Sequence, residues 1–396
     1  MSGKNKRILI ITERYAPEPF LITDLAETWV KQGKYVVVTT QIPSYPGDKI
    51  YYGYKNKKTT EIINNVRIIR FPTVIGYSKN IFFKMLNYFL FMIREVIYAF
   101  IQSKNVDEIF VYHTGPLTQA LAIIPIKIFR KLKITIWTQD VWPDAVFAYG
   151  FPQKGLFAFL LKQFVKIIYK YCDNIFVSSP GFIKRLKPYV KGKNIEFIPQ
   201  WVPDEVINSK QTSLVINDTR MKFIFTGNIG SMQALDVVIK AFASLNHEQF
   251  VLYILGDGNK RKEYEQLVES LCVKNIIFYD RIPQNQVLSC IKQCDYSLLS
   301  LSSNKLISLT IPAKFQTYLA AGKPIVAITE GEISRLVFEN DIGISCHVNE
   351  RDIFKKICQL PSPSDHKYEK WIQNIKKIQN KFQKETIIQK INSAMN

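Results

Sequence analysis

The chain has 396 residues, 47% of them hydrophobic and 22% charged, which excludes a disordered or collagen-like chain and leaves room for two domains. Its 53 lysines and arginines against 33 aspartates and glutamates give a net charge of +20, an excess that calls for an anionic partner: nucleic acid, an acidic membrane surface or a phosphorylated lipid. Residues 1–200 hold 29 of the basic and 13 of the acidic side chains, so most of the excess lies in the first half.

The start, MSGKNKRILIITERY, turns polar again after five apolar residues, which reads as a first strand and not as a signal peptide. Six cysteines without a CxxC pair fit reduced thiols in the cytosol. RILIIT, KYVVVTTQ, VRIIRFP, EIFVYH, KITIWTQD and NIFVSS are short β-branched runs separated by helical stretches such as LITDLAETWVKQ, the pattern of buried parallel strands with helices between them. Residues 81–101, IFFKMLNYFLFMIREVIYAFI, are apolar almost all round but interrupted by Lys84, Arg94 and Glu95, a poor spanning helix. Residues 155–171 set Lys162, Lys166 and Lys170 four apart on one stripe, either an amphipathic helix lying in a membrane interface or a core helix with a solvated lysine edge. The charge of the first half favours the membrane.

The polar stretch INSKQTSLVINDTR reads as a linker, after which KFIFTG, FVLYILGDG, IIFYD, YSLLSL, KPIVAIT and IGISC begin a second α/β series. We expect residues 1–205 to form the first domain, 206–366 the second, and 367–396 to be helices returning to the first. In FTGNIG, a strand ends at Gly227 and a helical pattern begins just after Gly230, a turn that suits a phosphate as well as it suits an empty strand-to-helix connection. In TIPAKFQTYLAAG, Thr310 can cap, Pro312 suits a first turn, and Lys314 sits where a bound anion would complement it. Asp140, after the strand KITIWT, is either a group that orients a hydroxyl or a loop cap. His113 closes the strand EIFVYH as a hydrogen-bonding or basic group near an acceptor, or as a structural histidine. Trp142 and Pro143 shape a pocket or fill a core. No carboxylate cluster has metal-ligand spacing, so no metal is expected. No nucleic-acid motif accompanies the charge, so nucleic acid is set aside.

Taken in order, YAPEPFLITDLAETWVKQGKYVVVTT, PSYPGDKIYYGY, WTQDVWPDAV, FTGNIGSMQALD, ILGDGNKRKEYEQL and IPAKFQTYLAAGKPIV resemble glycosyltransferase family 4, retaining enzymes of the GT-B fold, along nearly the whole chain. The branch resembled includes bacterial N-acetyl-L-fucosamine transferases of O-antigen and capsule assembly. The resemblance implies two Rossmann-like domains facing a central cleft and a UDP-sugar as co-substrate, with no separate cofactor. It implies Gly227, Asn228, Gly230 and Lys314 at the diphosphate, Asp280, Arg281 and Ile282 near the base, and Thr317 at the ribose. It places Pro19, Phe20, Gln139 and Trp142 at the acceptor, a lipid-diphosphate-linked saccharide, on the cytoplasmic face of an anionic membrane. The chain departs from the family where Leu309 and Thr317 replace two glutamates, Met232 and Gln233 a lysine, Pro19 and Phe20 paired glycines, and Gln139 the histidine of a His-Asp pair. These departures keep two rivals open, a catalytically silent relative acting as a membrane-bound assembly partner and a UDP-sugar epimerase of the same fold.

Overall fold

A computed structural model describes residues 6–45, 49–77, 80–208, 211–212 and 214–395. Pro46, Gly47 and Asp48 of the PSYPGDKIYYGY motif, and three residues of the expected linker, lie outside them. The chain divides into two compact units, Met1–Ile198 with Ile388–Asn396, and Pro199–Ile387.

The first unit is built on an eight-stranded sheet in the order β3-β4-β2-β1-β5-β6-β7-β8. Its strands are β1 Arg7–Thr12, β2 Tyr35–Gln41, β3 Thr59–Ile63, β4 Val66–Phe71, β5 Glu108–His113, β6 Lys133–Thr138, β7 Asn174–Val177 and β8 Ile195–Phe197. All pairings are parallel except that of β3 with β4. Leu9, Ile10, Val36, Val38, Val111 and Ile136 are wholly buried, as expected of central strands covered on both faces. The helices that position the site are α1 Leu21–Lys31, α2 Ile81–Gln102, α3 Ile123–Arg130, α4 Asp144–Ala148 and α5 Gly155–Tyr171.

The second unit carries a six-stranded, all-parallel sheet in the order β11-β10-β9-β12-β13-β14. These strands are β9 Met221–Asn228, β10 Phe250–Asp257, β11 Ile276–Tyr279, β12 Tyr296–Ser300, β13 Ile325–Ile328 and β14 Gly343–Cys346. The described part of the expected linker is laid along this unit: Gln293 accepts from the Ile216 amide at 2.9 Å and donates to the Leu214 carbonyl at 3.0 Å.

Only the last part of the C-terminal segment returns to the first unit. Helix His366–Gln379 turns Tyr368, Trp371, Ile375 and Ile378 inward at helical spacing, and Tyr368 and Trp371 pack on Tyr296 of β12, so it belongs to the second unit's core. From Ile388 onward the final helix belongs to the first unit, where Asn392 accepts from the Trp29 indole at 2.9 Å and Lys390 pairs with Glu196 at 3.2 Å.

Candidate functional site

Open parallel sheets bind ligands outside the carboxyl ends of their strands, where the strand order reverses. In the second unit that reversal lies between β9 and β12. β9 ends in exposed Gly227 and Asn228. Gly227 has φ +116 and its β10 neighbour Gly256 has φ +151, and a Cβ on Gly256 would lie 1.9 Å from the Gly227 carbonyl oxygen. Only glycines allow this approach, and it bares the strand end.

Lys314 fills the space beside it. Its Nζ lies 3.8 Å from the centre of the Phe225 ring, and a Cβ on Gly227 would come within 3.7 Å of it. The ammonium is buried and meets no hydrogen-bond partner among the described residues, and burial pushes its pKa down to about 7. A buried cation with no counter-charge is costly, and a phosphate at the bare strand end would supply that charge.

Other parts of the expected phosphate grip differ. The Gly230 amide donates to the Gln233 side chain at 3.1 Å, as does the Asn228 amide group at 3.3 Å, so Gln233 holds the turn shut on itself. The helix does not start directly after Gly230: a 3-10 turn at Ser231–Gln233 and a left-handed Ala234, φ 45, precede helix Leu235–Ala243. Thr310 does not cap helix Ala313–Ala321, because its hydroxyl donates to the Ile307 carbonyl at 2.7 Å and Pro312 takes the cap position. Thr317 donates within its own helix to Ala313 at 3.3 Å. Asp280 pairs with Arg261 at 2.7 Å, leaving exposed Arg281 and half-buried Ile282 beyond the end of the edge strand β11, two strands away from Gly227.

In the first unit the strand order reverses between β1 and β5, and Glu13 follows β1 while Gly115 follows β5. A Cβ on Gly115 would lie 2.1 Å from a Glu13 carboxylate oxygen, so glycine is what lets this carboxylate lie across the switch point. Arg14 holds Glu13 at 3.0 Å and Glu18 at 3.2 Å, all three almost fully buried, and donates to the Tyr77 hydroxyl. Glu18 in turn accepts from the Ser44 and Tyr45 amides at 2.9 and 2.7 Å, which ties down the loop after β2. Burial raises the Glu13 pKa, with Arg14 pulling the other way.

Above these groups lies a cavity of about 700 Å³. Asp140 opens onto it, and the surrounding protein pushes this carboxyl up to about 6. Phe20 and Trp142 also line it, with Phe20 set edge-on to Tyr45 at 5.4 Å. Pro19 is exposed and does not line the cavity, and neither does Gln139, whose backbone N–H donates to the His113 carbonyl at 2.8 Å. His113 is also set apart from the cavity: it is completely buried, and burial takes its imidazole down to about 4, so it stays neutral at physiological pH. Glu13 and Arg14 escaped the sequence reading, and Lys84 was read only as a charge interrupting an apolar helix. The signal was a charged pair after the first strand, in ITERY, but its partner Gly115 is contributed by a distant strand.

Helix α2 is turned inside out. Its buried positions are Asn87, Phe91, Glu95 and Ala99, four apart, whereas Ile81, Phe82, Met85, Phe89 and Ile97 are each at least half exposed. Asn87 accepts from Gln41, Thr73 and the Val74 amide, each at 3.0 Å, and Glu95 accepts from the Thr39 hydroxyl. On α5, Ala158, Val165, Ile168 and Tyr169 face inward and Leu156, Phe159 and Leu160 outward. Lys162 and Lys166 are half-buried along its flank, and Lys170 is exposed. Among the described residues no helix is long and apolar enough to cross a membrane.

Residues 206–378 match the model of the family described as Glycosyl transferases group 1. The chain is 24% identical to the probable glycosyltransferase WbjE of Pseudomonas aeruginosa, over 62% of this chain and 65% of that one. It is 22% identical to the putative colanic acid biosynthesis glycosyl transferase WcaI of Escherichia coli K12, over 82% of this chain and 83% of that one. Its fold is shared with Anabaena Alr3699/HepE, solved in complex with UDP and glucose, at a TM-score of 0.67 and 12% identity, over 98% of this chain and 99% of that one.

Proposed function

We propose that the protein, a glycosyltransferase of the GT-B fold, moves a sugar from a UDP-sugar to a polyprenyl-diphosphate-linked saccharide during surface polysaccharide assembly. The observation that carries this reading is Lys314, whose buried ammonium has no hydrogen-bond partner among the described residues and lies at the glycine end of β9. A nucleotide diphosphate matches it in charge, and a structure of the same fold is a complex with UDP. The relative named for colanic acid synthesis supports a polysaccharide product.

In this reading Lys314 neutralises the leaving diphosphate, with Gly227 and Asn228 against it, and Arg281 and Ile282 flank the base. The diphosphate leaves from the face on which the acceptor attacks, takes the acceptor's proton, and so retains the anomeric configuration. Asp140 orients the acceptor hydroxyl, with Phe20 and Trp142 beside the acceptor. The transferred group is an N-acetylated deoxyhexose, and no metal takes part. The enzyme sits peripherally on the cytoplasmic face of the membrane, held by the outward apolar faces of α2 and α5 and by Lys162, Lys166 and Lys170.

A panel of UDP-sugars against polyprenyl-diphosphate N-acetylglucosamine, read by mass of the lipid product, tests this. One donor is expected to extend the lipid. Conversion of a UDP-sugar to its epimer without acceptor would point to a UDP-sugar epimerase, and no turnover at all to a silent relative. Co-sedimentation with anionic vesicles should fall when the three α5 lysines become glutamate, and unchanged binding would remove them from the membrane contact.

A further inference from the structure

The cavity of the first unit is too apolar to be a saccharide site alone. Among its polar groups, Glu13, Thr114 and Asp140 follow the ends of three adjacent strands, β1, β5 and β6. The opposite wall is one face of α2 with Phe157 and Leu161 of α5. Three of the α2 lining residues, Ile81, Met85 and Phe89, are also 54 to 55% exposed. A side chain that both lines a cavity and meets solvent forms its mouth, so the mouth is apolar and runs without a break into the outer face of α2, where Phe82 is 65% exposed. Covering such side chains removes apolar surface from water, so this mouth favours an apolar occupant over water.

The charge in the cavity wall narrows the occupant. Arg14 is already matched by Glu13 and Glu18. Lys84 is not: its ammonium rests 4.2 Å over the Tyr149 ring, forms no ion pair among the described residues, and lies near enough to Glu13 to lower that carboxyl's pKa. A cavity with an apolar mouth and, in its wall, a cation outside any ion pair among the described residues fits an amphiphile with a phosphorylated head. We propose that the cavity admits the first isoprenoid units of the lipid acceptor sideways between α2 and α5, and that Lys84 holds the phosphate attached to them. This rests on the lipid-linked acceptor of the reading above and adds that the enzyme grips the chain itself, so acceptor recognition begins with the lipid.

Farnesyl diphosphate, which is water-soluble and carries no sugar, is the probe, with binding followed by calorimetry on the full chain without vesicles. Saturable binding is expected, at least tenfold tighter than that of inorganic pyrophosphate or of farnesol. Ala145→Trp, which fills the cavity, and Lys84→Ala should each weaken it about tenfold or more, while parent-like circular dichroism and thermal unfolding show that the first unit of each variant is folded. Equal binding of pyrophosphate, undiminished binding by Ala145→Trp, or no binding to the parent would overturn the proposal. If transfer to a water-soluble saccharide lacking the chain is as efficient as to the lipid, the cavity assignment fails and the transferase reading stands. If the probe binds as expected but no UDP-sugar is ever transferred, the reverse holds.

Discussion

The two units place charge at their strand ends in opposite ways. In the second, Lys314 is alone, a buried ammonium facing a bare glycine turn. In the first, Arg14 is locked between Glu13 and Glu18 beneath a cavity whose wall is mostly apolar. A satisfied buried ion cluster holds shape, whereas an unsatisfied one stores a demand for a ligand. The second unit therefore reads as the place where charge is recognised, and the first as the place where shape is.

If that contrast is right, removing each cation should fail differently. Arg14→Met leaves two buried carboxylates without their counter-charge, and the loss of a buried ion-pair partner costs about 3–5 kcal/mol of stability. Denaturant unfolding should show a loss of that size, and a change below about 1 kcal/mol would mean the cluster is wetter than its burial indicates.

Lys314→Ala should instead spare the fold and reduce transfer roughly 100- to 1,000-fold, the usual cost of removing one preorganised electrostatic group. Its thermal midpoint should rise, because the alanine variant no longer buries an unpaired amine. The pH dependence of UDP binding sharpens the test. With a pKa of about 7 in the free protein, Lys314 must take up a proton when the diphosphate binds above that pH. Affinity should fall as pH rises from 7 to 9, by up to about tenfold per unit, in a range where the nucleotide's own phosphates are already ionised. The alanine variant should show no such slope, and a slope that survives the substitution would move the titrating group elsewhere.

Much of the fold was legible in the sequence because buried parallel strands announce themselves as β-branched runs. β3 was not, since Thr59–Ile63 alternates partly and fully exposed residues at a sheet edge. Its signal was the pair Asn64 and Asn65, φ 49 and 63, which closes a two-residue hairpin onto β4. Of the site, the strand-end glycine and Lys314 could be read locally. The seat of Glu13 could not, because it depends on Gly115 arriving from a strand about a hundred residues away. Which face of α2 turns inward was not legible for a physical reason: a stretch apolar almost all round does not mark one face for burial, and here the polar residues Asn87 and Glu95 turn inward with Phe91 and Ala99.

That inversion supplies the smallest effect, and it tests whether the inner face of α2 is built as dry as the cavity beside it. Glu95 is completely buried, and burial pushes its carboxyl up to about 8 despite the hydrogen bond from Thr39, so at neutral pH it is largely protonated in the native state. Its native pKa lies above the unfolded value, so the folded chain holds a proton that the unfolded chain releases. The stability it contributes is full below the ordinary carboxylate range and is lost as pH rises toward 8, at no more than about 1.4 kcal/mol per pH unit. Glu95→Gln keeps a neutral side chain at every pH and should remove that slope, matching the parent near pH 5 and exceeding it near pH 8 in denaturant unfolding. Parallel pH profiles for the two proteins would mean that Glu95 ionises inside the fold, and hence that water reaches the inner face of α2.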